Sequence, residues 1–317
     1  MFVTGILRER GYLSDIFSVM VKNIKSKKMV VFLVSLFGGV LPIPGRVAIS
    51  ASMLNSIAPT DNKKRKKFGI IDYLATHHYY LWSPLEKTVI IPMAVLGLTY
   101  SQFIGYIWPL IVISALYIGY YIITLSDDEV DIQIKDDGVN WKNIFLVVVP
   151  FLLTLLISCV TDYYFLAFAT FTAYLVWYSK SWMSLHKYIK WDLLWIVSLV
   201  IILGNLVNSN YETIENIITQ YSEPQYIVIV SVLGFLASFL LGSSAKYAGI
   251  VSLLTSVFGM EYFVLFFTLE YSAYLISPSH KCLPIGQKYF HTGFLTYLKA
   301  LVIWVSLMIS YALITLV

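Results

Sequence analysis

Long apolar segments recur along the chain and restrict its fold more than any other feature. Segment 103–125, for example, contains no Asp, Glu, Lys or Arg. A bilayer core about 30 Å thick needs about 20 helical residues, each rising about 1.5 Å. Hydrophobic residues make up 58% of the chain and charged residues 13%, so a soluble globule of this size could not bury the apolar surface. The sequence predicts an all-α polytopic membrane protein, which excludes a soluble enzyme, a nucleic-acid-binding domain and a disordered chain.

About seven segments are predicted to cross the bilayer completely. They are 68–100, 103–125, 142–159, 163–178, 191–207, 261–277 and 295–316. Two others, 29–57 and 225–259, are too long for one crossing and are interrupted at 41–45 and 241–245. We interpret both as re-entrant helical hairpins, whose non-helical tips must be surrounded by protein or a water-filled cavity. Amphipathic stretches 4–24 and 210–222 precede the hairpins and are predicted to lie along the interface.

Basic residues predict the orientation. Lysines at 22, 25, 27 and 28 and the run 63–67 flank the first hairpin, so both flanks belong on the cytoplasmic side. Counting crossings then places the lysines at 180, 187, 190, 281, 288 and 299 inside, and the acidic stretch 208–223 outside. All basic clusters fall on the cytoplasmic side only if neither hairpin crosses the bilayer. We therefore predict a multi-pass protein of the plasma (inner) membrane with a cytoplasmic N-terminus and an outside C-terminus.

The chain also predicts an inverted repeat. The first repeat spans 1–125, an acidic connector spans 126–141, and the second repeat spans 142–317. The pentapeptides Tyr80-Leu81-Trp82-Ser83-Pro84 and Tyr274-Leu275-Ile276-Ser277-Pro278 follow the two hairpins, and their prolines predict breaks in helices 68–100 and 261–291. Closing helices 103–125 and 295–316 follow. The second repeat has three scaffold helices before its hairpin and the first has none, so we expect a shortened form or a partner chain.

Several motifs resemble a known family. They are Leu41-Pro42-Ile43-Pro44-Gly45 with Ala48, Ser50 and Ala51; Asp72-Tyr73 with 77–84 (His-His-Tyr-Tyr-Leu-Trp-Ser-Pro); and 277–283 with Tyr289-Phe290. Together they resemble the prokaryotic membrane-protein family called domain of unknown function 401. The resemblance implies the ion-transporter superfamily, whose characterised branches carry citrate, dicarboxylates, gluconate, arsenite, or sodium and protons. It also implies a homodimer built on scaffold helices.

In such a fold the substrate lies between hairpin tips and helix breaks, where free backbone groups and half-helix dipoles are exposed. Arg46 and Lys246 occupy matching positions in the two hairpins and would together attract an oxyanion. The alternatives are that these cations snorkel to the headgroups or form structural ion pairs, and that the serines serve helix packing. The candidate substrate-binding residues are Pro44, Gly45, Arg46, Ser50, Ser83, Ser243, Ser244, Lys246 and Ser277.

Six ionisable residues are candidates for proton coupling, because ionisable groups within membrane helices often serve ion pathways. They are Asp72, His77, His78, Glu86, Glu270 and His280. The alternative for His77 and His78 is packing in an aromatic belt, and for His280 a place in a basic cytoplasmic loop. Adjacent histidines on a helix point about 100° apart, so we expect no metal site.

These observations predict a secondary transporter of a small carboxylate or inorganic oxyanion, coupled to Na⁺ or H⁺ through alternating access. We expect no enzymatic activity, since GxSxG and paired helical carboxylates are absent from the sequence. The expected partners are the lipid bilayer and the small anion, with no nucleic acid and no cofactor beyond a coupling ion. The alternative is a transport-incompetent or auxiliary subunit that needs a partner chain.

Overall fold

The computed structural model describes residues 23–40 except Lys25, 46–58, 61–84, 86–125, 141–161, 164–180 and 224–316, with isolated residues elsewhere. Several predicted segments fall where the structure describes no residues or only isolated ones. They are the first hairpin tip at 41–45, nearly all of the connector 126–141, the crossing 191–207 and the interfacial stretches 4–24 and 210–222.

Every regular element in the described part of the chain is helical, which confirms the all-α prediction. The α-helices are α1 (Lys27–Val40), α2 (Arg46–Ile57), α3 (Asn62–His78), α4 (Lys87–Leu96), α5 (Tyr100–Ile123), α6 (Trp141–Val160), α7 (Tyr164–Ser179), α8 (Pro224–Leu241), α9 (Ser244–Phe258), α10 (Phe263–Ile276), α11 (Cys282–Phe290) and α12 (Phe294–Ile314). Short 3₁₀ helices span Tyr79–Leu81 and Met260–Tyr262.

Two of the described helices, α5 and α12, are long and apolar enough to span a membrane, with 24 and 21 residues. They coincide with the predicted crossings 103–125 and 295–316. Large apolar side chains stay exposed on them, including Leu116 at 69% and Ile314 at 72%. An apolar surface of this kind is costly in water and favourable against lipid, so both helices are compatible with a membrane protein.

The described residues fall into two compact units. The first unit comprises Met1–Tyr79, Ile118–Lys190 and Ile285–Thr292. Within it α1 packs against α2 and α3, α2 against α3, and α6 against α7. Its core is a cluster of fully or nearly fully buried side chains: Val30, Val31, Val34, Ala51, Leu54, Ile57, Phe68, Ile71, Leu125 and Phe290.

Two cations of the basic run 63–67 make hydrogen bonds in this unit. Arg65 Nη2 donates to the Asn55 side-chain oxygen on α2 and to the Tyr289 carbonyl on α11, the latter at 3.2 Å. Lys67 Nζ donates to the Thr124 carbonyl at 2.8 Å. The basic run therefore joins helices of the first unit, a role separate from its predicted effect on membrane orientation.

The second unit comprises Tyr80–Tyr117, Trp191–Pro284 and Gly293–Val317. In it α8 and α9 form a helical hairpin, with α9 packed against α4, and α10 packed against α8, α9 and α12. The chain reverses at Gly242, whose φ of 54° suits a residue without a Cβ, and at Ser243, which is extended. Edge-to-face contacts of Phe103 with Phe263 and Phe267, and of Tyr271 with Trp304, fill its aromatic core.

Candidate functional site

The first helix break lies between α3 and α4. The α-helix ends at His78, a 3₁₀ turn spans Tyr79–Leu81, and α4 begins at Lys87. Ser83 within the break is buried, and its carbonyl accepts the Glu86 N–H at 2.9 Å. The break predicted at Ser83-Pro84 is thus a short ordered turn, with backbone groups partly satisfied inside the protein.

The second break follows α10, which ends at Ile276, and it contacts the turn of the second hairpin. The buried Ser277 hydroxyl donates to the Phe239 carbonyl in the last turn of α8. A Cβ on Gly242 would lie 2.8 Å from the Ser279 carbonyl carbon, so backbone meets backbone at this point. The hairpin turn and the second break therefore form one continuous structure within the second unit.

The two repeated pentapeptides meet through their first residues. The Tyr274 hydroxyl donates to the Tyr80 hydroxyl at 3.1 Å, and the ring centroids lie 5.5 Å apart. The Tyr247 ring, one turn into α9, lies 5.1 Å from the Tyr274 ring. Both helix breaks and the N-terminal end of α9 consequently converge on one buried tyrosine cluster, which we define as Tyr80, Tyr247 and Tyr274.

The other substrate candidates differ in their surroundings. In the second unit Ser244 is buried, Ser243 is partly exposed and Lys246 is exposed. In the first unit Ser50 is fully buried on α2. Arg46 begins α2, but its side chain and the residues Pro44 and Gly45 lie outside the described part of the structure. The second hairpin turn contacts the second break through Gly242 and Ser279, while the proposed pairing of Arg46 with Lys246 stays a prediction.

The proton-coupling candidates of the first unit lie on α3. Asp72 is 1% exposed, the Ser50 hydroxyl forms a side-chain hydrogen bond with it, and its Oδ1 atom has no hydrogen-bond partner among the described residues. His77 stacks on Tyr73 at 4.1 Å, and its Nδ1–H donates to the Tyr73 carbonyl at 2.6 Å. His78 packs edge-on against Tyr79, 6.4 Å away. The predicted aromatic packing of the two histidines is therefore present alongside an acid.

In the second unit Glu270 is fully buried in the middle of α10. Ser238 on α8 donates to its Oε2 atom, and its Oε1 atom has no hydrogen-bond partner in the described structure. Glu86 is also buried but stands at the N-cap of α4, where the helix dipole stabilises a negative charge. His280 stacks on Tyr274 at 4.1 Å and donates from Nδ1 to its carbonyl at 3.2 Å.

Comparison with known families identifies the chain's relatives. Residues 1–317 match the family described as protein of unknown function (DUF401). The chain belongs to the DUF401 family. No curated protein matches it.

Sequence reasoning about this DUF401 protein missed three contributors to the site. Ser238 was not singled out, although it is a polar residue on an apolar helix and provides the hydroxyl for Glu270. Gly234, one turn earlier on the same helix, lies directly against Glu270 Oε1. The spacing of Gly234 and Ser238 along one helical face was the available signal, since residues four apart lie on the same side of a helix. The Tyr247 ring had no comparable signal.

Proposed function

We propose that this DUF401 protein is a secondary active transporter of a small anion, either a carboxylate or an inorganic oxyanion, that works by alternating access and is coupled to Na⁺ or H⁺. The supporting observation is the convergence of two helix breaks and a hairpin turn in the second unit, carried by the Ser277 bond to Phe239 and the Tyr80 bond to Tyr274. Broken helices present unpaired backbone groups, and such groups bind anions and cations in inverted-repeat transporters.

In this proposal the hairpins are re-entrant and belong to inverted repeats of an ion-transporter fold. Helix α8 is about 27 Å long and α9 about 22 Å, from their 18 and 15 residues at about 1.5 Å per residue. Such helices are too short to combine a full crossing with much tilt in a core of about 30 Å. A hairpin that ends within the membrane fits these lengths, and its Gly242-Ser243 turn contacts Ser279 of the second break rather than lying free.

Substrate binding would place the anion near Ser243, Ser244 and Ser277, with Lys246 as the attracting cation of the second hairpin. Lys246 is exposed, so its ammonium group is free to turn towards an anion that enters beside the turn. Arg46 has the matching position in the first hairpin by sequence. Exposure also permits the snorkelling alternative, and the experiment below separates the two.

The test is a thermal-unfolding screen of the purified protein in detergent against small carboxylates and inorganic oxyanions, with and without Na⁺. A ligand that binds only the native state at 100 times its Kd stabilises it by about 2.7 kcal/mol. We expect one anion class to raise the melting temperature of wild type but not of the R46A/K246A double variant. Lys299→Ala, which removes an exposed cation from α12, is the matched control and should respond like wild type.

Two outcomes would contradict the proposal. A melting temperature unchanged by every anion would favour the auxiliary-subunit alternative, in which a partner chain completes the protein. An equal response of wild type and the double variant would place the anion away from the two hairpins. Flux of the stabilising anion into vesicles reconstituted with the isolated chain would exclude the auxiliary-subunit alternative.

A further inference from the structure

Two buried acids share an environment that their neighbouring residues do not have. Asp72 lies in the middle of α3 and Glu270 in the middle of α10, the helices that lead into the first and second breaks. They are 1% and 0% exposed. In both, one carboxyl oxygen has no hydrogen-bond partner among the described residues. In both, the neighbouring hydroxyl is a serine from the hairpin of the same half: Ser50 for Asp72 and Ser238 for Glu270.

Both acids also lie shortly before a repeated pentapeptide in the sequence. Asp72 precedes Tyr80 by eight residues and Glu270 precedes Tyr274 by four, and these tyrosines begin the repeated pentapeptides. Counted to the ends of their own helices, Asp72 lies six residues before His78 and Glu270 six residues before Ile276. Each of these two acids lies beside a serine of its own hairpin, whereas the third buried acid, Glu86, stands at a helix N-cap.

A carboxyl in this environment is better suited to hold a proton than a permanent charge. An isolated carboxylate away from water costs several kcal/mol unless cations or several donors surround it. A serine hydroxyl can donate to a carboxylate and can equally accept from a protonated acid, so it serves both forms. The Ser50 hydroxyl has a second acceptor available, the Val47 carbonyl at 3.3 Å, to which it can donate when Asp72 is protonated.

The backbone of α8 shapes the second site. Gly234 faces Glu270, and a Cβ at that position would overlap Oε1 and come within 3.2 Å of the Leu254 side chain. The missing side chain is what leaves room for the carboxyl between α8 and α10. The Glu270 carboxyl is thus held against the α8 backbone, with the Ser238 hydroxyl as its described partner.

Among the described residues, few charged or titratable groups lie on the helices packed against these acids. The helices packed against α3 carry Lys27, Lys28 and Arg46, all in first turns. The elements packed against α10 carry Tyr226, Lys246, Tyr247, Glu261, Tyr262, Tyr297, Lys299 and Tyr311, of which both lysines and Glu261 are exposed.

We propose that each half of the chain carries one proton site, Asp72 with Ser50 in the first unit and Glu270 with Ser238 in the second. Binding of a proton neutralises the carboxyl and lets the hairpin pack on its helix, and release leaves a charge that favours separation of the two. The use of these protons for coupling rests on the proposed transport function, whereas the two proton sites themselves do not depend on it.

The test is infrared difference spectroscopy of the purified protein in lipid as the pH is changed, in H₂O and D₂O. Wild type should show protonated carboxylic acid carbonyl bands that shift in D₂O. Glu270→Gln and Asp72→Asn, which imitate the neutral acids in shape, should each remove one component, and the double variant should remove both. The matched controls Glu261→Gln and Asp61→Asn change exposed acids of the same two units and should leave the bands intact.

If the Asp72 and Glu270 variants fail to fold, variants that keep both acids provide a second infrared test. Ser238→Ala and Ser50→Ala should shift the carbonyl frequency because the carboxyl loses its hydroxyl partner. Gly234→Ala should shift the Glu270 component because the new Cβ displaces Oε1, whereas Gly105→Ala, where a Cβ meets nothing within 4 Å, should not.

Spectra of Glu270→Gln and Asp72→Asn that match wild type at every pH would overturn the proposal, as would bands that disappear only in the exposed controls. The spectra require no substrate, so they are independent of the anion screen. If the carboxylic acid bands appear but no anion stabilises the protein, the proton sites are supported and the transport proposal is contradicted. If an anion stabilises the protein but the bands are absent, the transport proposal is supported and the proton sites are contradicted.

Discussion

Side-chain hydroxyl groups connect the helix breaks to neighbouring residues through hydrogen bonds. Ser277 connects the second break to α8 through the Phe239 carbonyl, and Tyr274 connects it to Tyr80 of the first pentapeptide. Such buried polar contacts contribute modestly when made and cost more when one partner is left behind. The tyrosine pair joins the first residues of the two similar pentapeptides within the second unit.

At this scale the Tyr80 and Tyr274 hydroxyls should be energetically coupled. Tyr80→Phe and Tyr274→Phe should each lower the free energy of unfolding by about 0.5 to 1.5 kcal/mol, because each removes the hydrogen bond between the two hydroxyls. The double variant should cost less than the sum of the two. The measurement is a double-mutant cycle from denaturant unfolding in micelles. Strict additivity would mean that the 3.1 Å contact contributes nothing.

At the scale of the element, the stability of the α8–α9 hairpin depends on the conformation of its turn. Gly242 has a left-handed φ of 54° and lies against Ser279, while Gly97 after α4 has a φ of 66° and open space around a Cβ. Gly97→Ala should cost about 1 to 2 kcal/mol for the backbone conformation alone. Gly242→Ala should cost about 1 to 3 kcal/mol more, because the added methyl group overpacks the contact.

Comparing the melting temperatures of the two glycine variants isolates the contact between the turn and the break. Gly242→Ala should also weaken stabilisation by any anion found in the screen, since the turn borders the candidate site. Equal melting temperatures for the two variants would show that the turn and the second break do not support each other.

The basic run 63–67, at the start of α3, is a second feature with more than one role. Arg65→Ala should lower the free energy of unfolding by about 1.5 to 3 kcal/mol, since its guanidinium bonds to Asn55 and Tyr289. Arg65→Lys keeps the charge but loses the planar fork, so it should recover only part of this. Lys66→Ala, next along the chain, removes the same charge and should change stability by less than about 0.5 kcal/mol. Similar losses in Arg65→Ala and Lys66→Ala would assign the run to orientation alone.

At the scale of the whole molecule, cysteine labelling can test the predicted membrane topology. In a background with Cys159 and Cys282 replaced by Ser, single cysteines at the exposed positions Gln225, Glu261 and Lys288 would be treated with a membrane-impermeant maleimide. The predicted topology expects Gln225→Cys and Glu261→Cys to react in intact cells and Lys288→Cys only after permeabilisation. Labelling of Lys288→Cys in intact cells would show that the orientation is the reverse of the predicted one. Labelling of an added cysteine at Ser243 from the cytoplasmic side in every condition would show that the second hairpin crosses.

Prolines illustrate how far the sequence could predict the helices. The breaks at Ser83-Pro84 and Ser277-Pro278 were predicted from proline, and the helices end at His78 and Ile276, within a few residues. Yet α4, α5 and α6 continue through Pro92, Pro109 and Pro150. A proline removes one backbone hydrogen bond at every position, and the surrounding packing decides whether the helix ends there. The repeated pentapeptide distinguished the two breaks, and proline by itself did not.

The sequence by itself determined the helical, membrane-compatible character of the chain, because apolar length and charge spacing follow directly from the solvent that each segment must face. It also marked the second hairpin turn, both breaks and the two buried acids. Only the tertiary structure decided which hydroxyls meet which groups: Ser238 with Glu270, Ser277 with Phe239 and Tyr274 with Tyr80. Those contacts join residues 32, 38 and 194 positions apart, and no local periodicity records which helix faces another. Helix packing fixes them, since each buried polar group must find its partner across an interface that the whole fold creates.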